Sequence, residues 1–486
     1  MPDENAGNPE DEFREMLNRF ISGQGGIDPS QLAGAAGLPA DPAALSAMLS
    51  QLQNAMRGST DGGVNWGVAG DQARQIANAQ SVDTPEDQRH ALEQALNVAS
   101  LWLADATTFS ELSASPTLVS RAEWARLSMP VWTEVAEPVA SSISDALATV
   151  LQEQAPEELR GMIAGASQML RSVGGALFAM QLGQVVGQLS SEVVSGGDIG
   201  IPLMEDNHAV LVPQNIAAFG EGLDIPTDQV QLYLAVRELA HARLFRNARW
   251  LRLHLISAIT AFARGISIDI DAMESLAEDF DPSNPEQLRS ALSNGSLIPP
   301  KSEAQLASLA SLETTLALIE GWVDVVTAQA TVRLPRAQAI AETVRRRRAT
   351  GGPAESAFAA LVGLELRPRR LREAAALWQA VTEAVGTEAR DALWAHPDLV
   401  PTAEDIDDPA GFIARLTALA RGEAPERDEM DDALDALLRG EFGSTDGTNS
   451  ADADADADAA DGGTGTDGAD GTSTAPTDPE PDAPTA

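Results

Sequence analysis

The sequence predicts a mainly α-helical protein with one small β-hairpin and disordered N- and C-terminal segments. Three observations carry that expectation. Helix start signals and apolar residues at helical spacing follow one another from Thr84 to about Arg421. Only Ile199–Val212 (IGIPLMEDNHAVLV) reads as strand, two apolar runs flanking the turn-forming Glu205-Asp206-Asn207. The ends have the wrong composition for a core: from Glu441 to Ala486 there are 12 acidic residues and no Lys, Arg or His.

Taken in order, residues 1–83 read as a partly ordered arm. It holds a short amphipathic piece around Phe13, Leu17 and Phe20, a second short helix near Ala43–Met56, and a loop from Gly62 to Gly70 around Trp66. The helical domain, 84–422, opens at Thr84-Pro85-Glu86-Asp87, where an N-cap, a proline and first-turn acids coincide. Similar starts stand at Asn284-Pro285, at Ser302 with Gln305 as a capping box, and at Asp408-Pro409. Residues 423–440 read as a short acidic helix or linker and 441–486 as a disordered acidic tail.

Composition narrows the function classes. The chain has 486 residues, 44% of them hydrophobic, enough to bury a large core. With no cysteine, disulfides, thiolate zinc sites, iron–sulfur clusters and cysteine nucleophiles are excluded. Thirty-two basic residues against 73 acidic ones leave a net charge of −41, which repels nucleic acid. The basic runs Arg345–Arg348 and Arg367–Arg372 are expected to pair with the protein's own carboxylates. The acidic start has no signal-peptide pattern. Ser172–Ser191 carries no charge, but Gln181, Gln184 and Gln188 recur at helical spacing, so a buried helix with a face smoothed by Gly183 and Gly187 is expected rather than a membrane span. A cytoplasmic protein follows from these readings.

The chemistry concentrates in TDQVQLYLAVRELAHARLFRNA, Thr227–Ala248. This helix is apolar over most of its circumference, so Arg237, Glu238 and His241 stand out as charged or titratable groups in a buried element. Arg237 and His241 are four apart and share a face; Glu238 and His241 are three apart. R-E-x-x-H differs by one residue from H-E-x-x-H, in which two histidines one turn apart bind zinc and the glutamate is general base to the metal-bound water. On the later helix that starts near Ser302, Glu313 and Glu320 lie in the apolar stripe, and Asp324 follows one turn after Glu320. Glu320 is placed as a downstream metal ligand. Asp324, Glu313 and the strand residue His208 are further pocket candidates.

Several separated motifs resemble one family. Ser120–Trp124 (SRAEW), GALFAMQLGQVVG, LVPQNIAAF, RELAHARLF, LIEGWVDVV, GLELRPRR and LWAHPDLVP occur here in the same order as in the zincin-like metallopeptidase type 2 family, hydrolases that include a deazaflavin-biosynthesis-associated branch. The resemblance spans roughly Thr84 to Arg421. It implies a mostly helical zincin-like domain and a catalytic zinc, with Glu238 as general base and His241 and Glu320 as metal ligands.

This chain departs from the family at the first metal histidine, which is Arg237. A guanidinium has five donors, no acceptor and a permanent positive charge, so it cannot ligate zinc. Two functions of different class follow. One is a zinc-dependent metallopeptidase-like hydrolase with a degenerate motif. The other is a catalytically inactive relative that binds a peptide or protein partner, with Arg237 replacing the metal charge by forking onto a carboxylate such as Glu320. An interior ion pair without function is the plain alternative for the cluster.

Overall fold

The computed structural model describes residues 64–153, 160–266, 301–364, 366–422 and 439. The expected helices near Phe13 and Ala43, the start at Asn284-Pro285, and nearly all of the linker and tail lie outside these residues. In chain order the elements are α1 (Trp66–Ala79), α2 (Glu86–Ala104), β1 (Thr117–Leu118), α3 (Arg121–Glu153), α4 (Arg160–Glu192), β2 (Val210–Leu211) and α5 (Pro213–Gly220). There follow α6 (Thr227–Asn247), α7 (Trp250–Arg264), α8 (Glu303–Ala330), α9 (Ala337–Thr350), α10 (Pro353–Val362), α11 (Leu371–Ala392), α12 (Ala403–Asp407) and α13 (Pro409–Ala420). The protein is thus mainly α, as its sequence predicts, with one small sheet.

Local chemistry explains most boundaries. At α8 the Ser302 hydroxyl accepts from the Gln305 backbone N–H while Gln305 Oε1 accepts from the Ser302 N–H, the expected capping box. Asp408 caps α13 by accepting from the Gly411 N–H at 3.0 Å, and Pro409 follows it. At α2 the helix starts one residue later than expected, with Pro85 rather than Thr84 at the cap. Trp66, read from sequence as a loop residue, opens α1 instead, capped by Asn65. The uncharged stretch of α4 is what receives α1: a Cβ at Gly183 would meet the Ala69 carbonyl oxygen at 2.5 Å, and one at Gly187 would meet Ile76 Cβ at 2.8 Å. The smoothed face is a helix–helix contact. No helix among the described residues is long and apolar enough to cross a membrane.

Two apolar cores meet along α7, α8 and the sheet. One gathers α2, α6, the later half of α8 and α11. The other gathers α1, α3, α4 and most of α7, with Leu312 and Leu316 of α8. Residues 209–212 alternate between them: Ala209 and Leu211 face the first core, Val210 and Val212 the second.

The sheet corrects the expected hairpin. β2 pairs in parallel with β1, in the register Thr117↔Val210 and Leu118↔Leu211. Its antiparallel neighbour is residues 194–196, through Gly196 N–H to Val210 O and Val212 N–H to Val194 O, and not 199–204. The reason lies in residues 200–207. Gly200 takes φ +82, Pro202 has no N–H to give to a ladder, and Asp206 and Asn207 are both left-handed at φ 53 and 55 inside a 3-10 turn.

Candidate functional site

Helix α6 is the axis of the site. Thirteen consecutive residues, Tyr233 to Phe245, are buried, so a charged side chain among them is stabilised only by partners inside the protein. Antiparallel to it runs α8, buried from Thr315 to Thr327. A Cβ at Gly321 would meet Ala375 N at 2.7 Å, which lets α11 press α8 onto α6. Trp322 Nε1 donates to Asp391 Oδ1 at 3.0 Å and fixes that contact from the far side.

The two helices bring Arg237, His241 and Glu320 to one point. Arg237 Nη2 donates to Glu320 Oε2. His241 Nε2 lies 3.4 Å from Glu320 Oε1, and its Nδ1 lies 3.1 Å from the Arg237 carbonyl oxygen. Glu320 is fully buried and the other two nearly so. A fourth group, Arg348 of α9, closes the cluster with Nε 3.7 Å from Glu320 Oε1 and Nη1 3.6 Å from Glu355 Oε1. Its Nη2 donates to Ile199 O at 2.7 Å. Beside it Arg347 Nη2 meets Asp198 Oδ2 at 3.1 Å, and that same oxygen accepts from the Val194 N–H at 2.9 Å.

Glu238 faces the other way. Its Oε2 accepts from the Gly197 N–H at 2.8 Å and its Oε1 from the Val210 N–H at 3.0 Å. Each Oε thus serves a backbone group of the segment that enters and leaves the sheet. The fit there is tight: a Cβ at Gly197 would lie 2.6 Å from His241 Cβ, and one at Gly200 2.7 Å from Glu320 Oε1. Trp124, from the SRAEW motif, holds the start of this segment by donating from Nε1 to Ser195 O at 3.1 Å.

Electrostatics follow from burial and from who faces whom. Burial opposes the Glu320 charge, but Arg237 and Arg348 hold its carboxyl far below the usual carboxylate range. Burial likewise works against Arg237, and Glu320 outweighs it, so the guanidinium is held even more firmly charged. Asp198 is kept low by Arg347 and Arg348 against its burial. Burial pushes the Glu238 carboxyl up to about 7 despite its donors, with no cation facing it among the described residues. The His241 pKa is lowered, burial outweighing Glu320. A neutral ring donates from one nitrogen only, to Arg237 O or to Glu320.

The remaining candidates separate. Asp324 lies one turn along α8 and is held by Arg345, whose Nη2 donates to Oδ2 at 2.8 Å. Glu313 stays near the surface, 3.7 Å from Arg369, and does not join the cluster. His208 Nε2 is 3.0 Å from Thr117 Oγ1, at the rim of a slot of about 10 Å³ that Glu238 and His241 also line. That slot is the size of a single water molecule. It shares Pro202, Asn207, His208 and Phe245 with a cleft of about 480 Å³ running along the end of α6. Sequence reasoning missed Arg348, Asp198, Gly197 and Gly200. The arginine run of α9 and the SGGDIG segment were their visible signals, but nothing local tied either to α6.

Residues 64–413 match the sequence profile of the zincin-like metallopeptidases. The chain belongs to the zincin-like metallopeptidase family. Among solved structures it is similar to a candidate hydrolase with a novel fold from Chloroflexus aurantiacus, at 20% identity over 73% of this chain and 99% of that one, with a TM-score of 0.47. No curated protein matches it.

The zincin-like family implies zinc, and the residues present do not fit one. Among the described residues no three His, Cys, Asp or Glu side chains come together as a metal-binding group. More directly, the Glu320 carboxylate is taken on Oε2 by Arg237 and flanked on Oε1 by His241 and Arg348. Three guanidinium groups (Arg237, Arg347, Arg348) already face Glu320, Asp198 and Glu355, and Glu238 spends both oxygens on backbone N–H groups, so a divalent cation would meet permanent positive charge in a buried site.

Proposed function

We propose that this chain is a catalytically silent member of the zincin-like family that binds a peptide or protein partner in the cleft beside α6, with Arg237 standing in for the metal charge. One observation carries the reading: the Arg237 guanidinium donates to Glu320 inside the protein, at the motif position where the family has its first metal histidine. A permanent cation there supplies the countercharge that Glu320 needs without any ion. Glu238 retains the family residue but uses both oxygens on backbone N–H groups, which makes it a brace for the segment over the site.

Hydrolysis with Glu238 as general base is the second reading. It draws on the family and on a carboxyl pushed up to about 7, suited to proton transfer near neutral pH. Against it, Glu238 reaches only a slot with room for one water, and no polarising cation faces that slot.

Metal analysis of the chain purified without added zinc, paired with a casein-cleavage assay, separates the two. The expected result is well under about 0.1 equivalent of zinc and no cleavage, while Arg237→His, which completes H-E-x-x-H and removes the cation, takes up zinc at least about tenfold more tightly than the parent. A parent chain carrying about one equivalent of zinc, or cleavage abolished by a chelator, overturns the silent reading.

A further inference from the structure

The cleft of about 480 Å³ has a charge opposite to that of the chain that forms it. Arg246, Arg249 and Arg252 recur every third residue from the end of α6 into the first turn of α7, and all three line it. Arg246 donates from Nη1 to Ser113 Oγ at 2.6 Å, which sets its guanidinium across the cleft. Arg252 shares Glu134, to which its Nε donates at 3.1 Å, and its side chain remains 41% exposed. Arg249 is exposed and has no ion pair or side-chain hydrogen bond among the described residues. Among the described residues that line the cleft, Asp206 is the carboxylate.

Three guanidinium groups against Asp206 and Glu134 leave this concave surface positive on a chain of net charge −41. The arginines of α9 and Arg369, Arg370 and Arg372 find carboxylate partners, whereas Arg249 has none among the described residues and stands in a concave surface beside Arg246 and Arg252. The floor is apolar, made by Phe245, Leu251 and Pro202, and the rim offers Ser113, Asn207 and His208. Asn207 holds its place in the left-handed region, a conformation that Asn tolerates. An apolar floor with a few convergent polar groups, in a volume within the range of about 300–1,000 Å³ typical of ligand sites, suits a short run of peptide.

We propose that the cleft binds an acidic peptide segment, whose carboxylates are held by Arg246, Arg249 and Arg252 while its backbone lies over Phe245. This rests on the partner-binding reading above and gives the partner a chemistry. Planar guanidinium forks match carboxylates in two parallel hydrogen bonds, and Arg249 has its full donor set free to do so. A single-stranded nucleic acid is the other polyanion to consider. One phenylalanine is a poor stacking platform, and the charge of the whole chain opposes a long phosphate backbone.

The test is fluorescence anisotropy on the full-length chain at low salt, with fluorescein-labelled decapeptides that are glutamate-rich, serine-rich or lysine-rich, and a labelled oligothymidylate. The glutamate-rich peptide is expected to bind at least about tenfold tighter than the serine-rich one and to weaken steeply with added NaCl. Arg249→Glu, an exposed change that leaves the circular dichroism spectrum intact, is expected to weaken it about tenfold and Arg246→Ala about threefold. If Arg246→Ala does not fold, Arg249→Glu decides alone. Equal binding of the glutamate-rich and serine-rich peptides, indifference to Arg249→Glu, or tighter binding of oligothymidylate each overturns the acidic assignment. Tighter binding of the serine-rich or lysine-rich peptide than of the glutamate-rich one, lost in Phe245→Ala, overturns it too, but leaves the partner-binding reading standing. Cleavage of any decapeptide that a chelator abolishes overturns the partner-binding reading itself, whichever peptide was bound.

Discussion

The balance at Glu320 is set by which charges it meets, because a buried carboxylate without a cation costs several kcal/mol and truncating one partner of a buried pair typically costs about 3–5 kcal/mol. Arg237 and Arg348 meet it together, and the permanent charge of a guanidinium makes that balance independent of pH across the working range. Glu238 is the opposite case, a buried carboxylate served by N–H donors alone, and its titration is measurable as stability. Its carboxyl titrates near 7 in the folded chain against 4.5 when unfolded. The folded state therefore holds the proton more tightly, and the resulting stabilisation is complete below pH 4.5 and lost as pH rises through 7. His241 acts in the reverse sense below pH 6.5, since its folded pKa is lowered. Comparing Glu238→Gln with the parent cancels the histidine. The variant replaces one acceptor oxygen by a donor against a backbone N–H, so it starts less stable at pH 5, and the gap should narrow by on the order of 3 kcal/mol by pH 8.5. Urea unfolding at each pH measures it; a gap that stays constant shows that Glu238 titrates alike in both states.

At the scale of elements, the segment 195–204 determines what the site can be. It is pinned by Glu238 through Gly197, by Trp124 through Ser195 and by Arg348 through Ile199, and it approaches α6 and α8 too closely for any side chain at Gly197. Gly197→Ala should cost about 2–4 kcal/mol, because the new methyl meets His241 Cβ at 2.6 Å and the ring sits in a packed interior with nowhere to move. Gly174→Ala in α4, where a Cβ meets nothing within 4 Å, is the control and should be neutral or stabilising by up to about 1 kcal/mol. Thermal melts of the two variants check this; equal shifts mean that the segment yields. The same segment marks where sequence reasoning stops. Buried α6 and the Ser302 box were legible because periodicity and capping are local, while the meeting of Arg237 and His241 with Glu320 was expected only from the motif resemblance. The hairpin was not: which strand β2 pairs with depends on Thr117, about ninety residues upstream, and no local pattern encodes that. Arg348 was unreadable for the same reason, since an arginine run looks alike whether it meets solvent or Glu320.

At the scale of the whole molecule, a net charge of −41 is set against the buried ion pairs around Glu320. Inside, Arg237, Arg348 and Glu320 are shielded by protein, and added salt barely reaches them. Over the whole chain 73 acidic residues stand against 32 basic ones, a net excess of carboxylates whose mutual repulsion opposes compaction. Salt acts on two opposing surface terms. It weakens exposed ion pairs such as Arg346–Glu342 and Arg372–Glu342, each worth at most about 0.5–1 kcal/mol. It also screens the repulsion among the acids left without a partner, which outnumber those pairs. The second term should win: raising NaCl from about 0.05 to 0.5 M, which shortens the screening length from well above to well below 10 Å, should raise the melting temperature by roughly 2 °C or more. Differential scanning calorimetry in NaCl and in KCl reads the effect, and equal rises in both salts identify it as screening rather than ion binding. A melting temperature that falls with salt means instead that the exposed ion pairs, not the unpaired acids, dominate the surface.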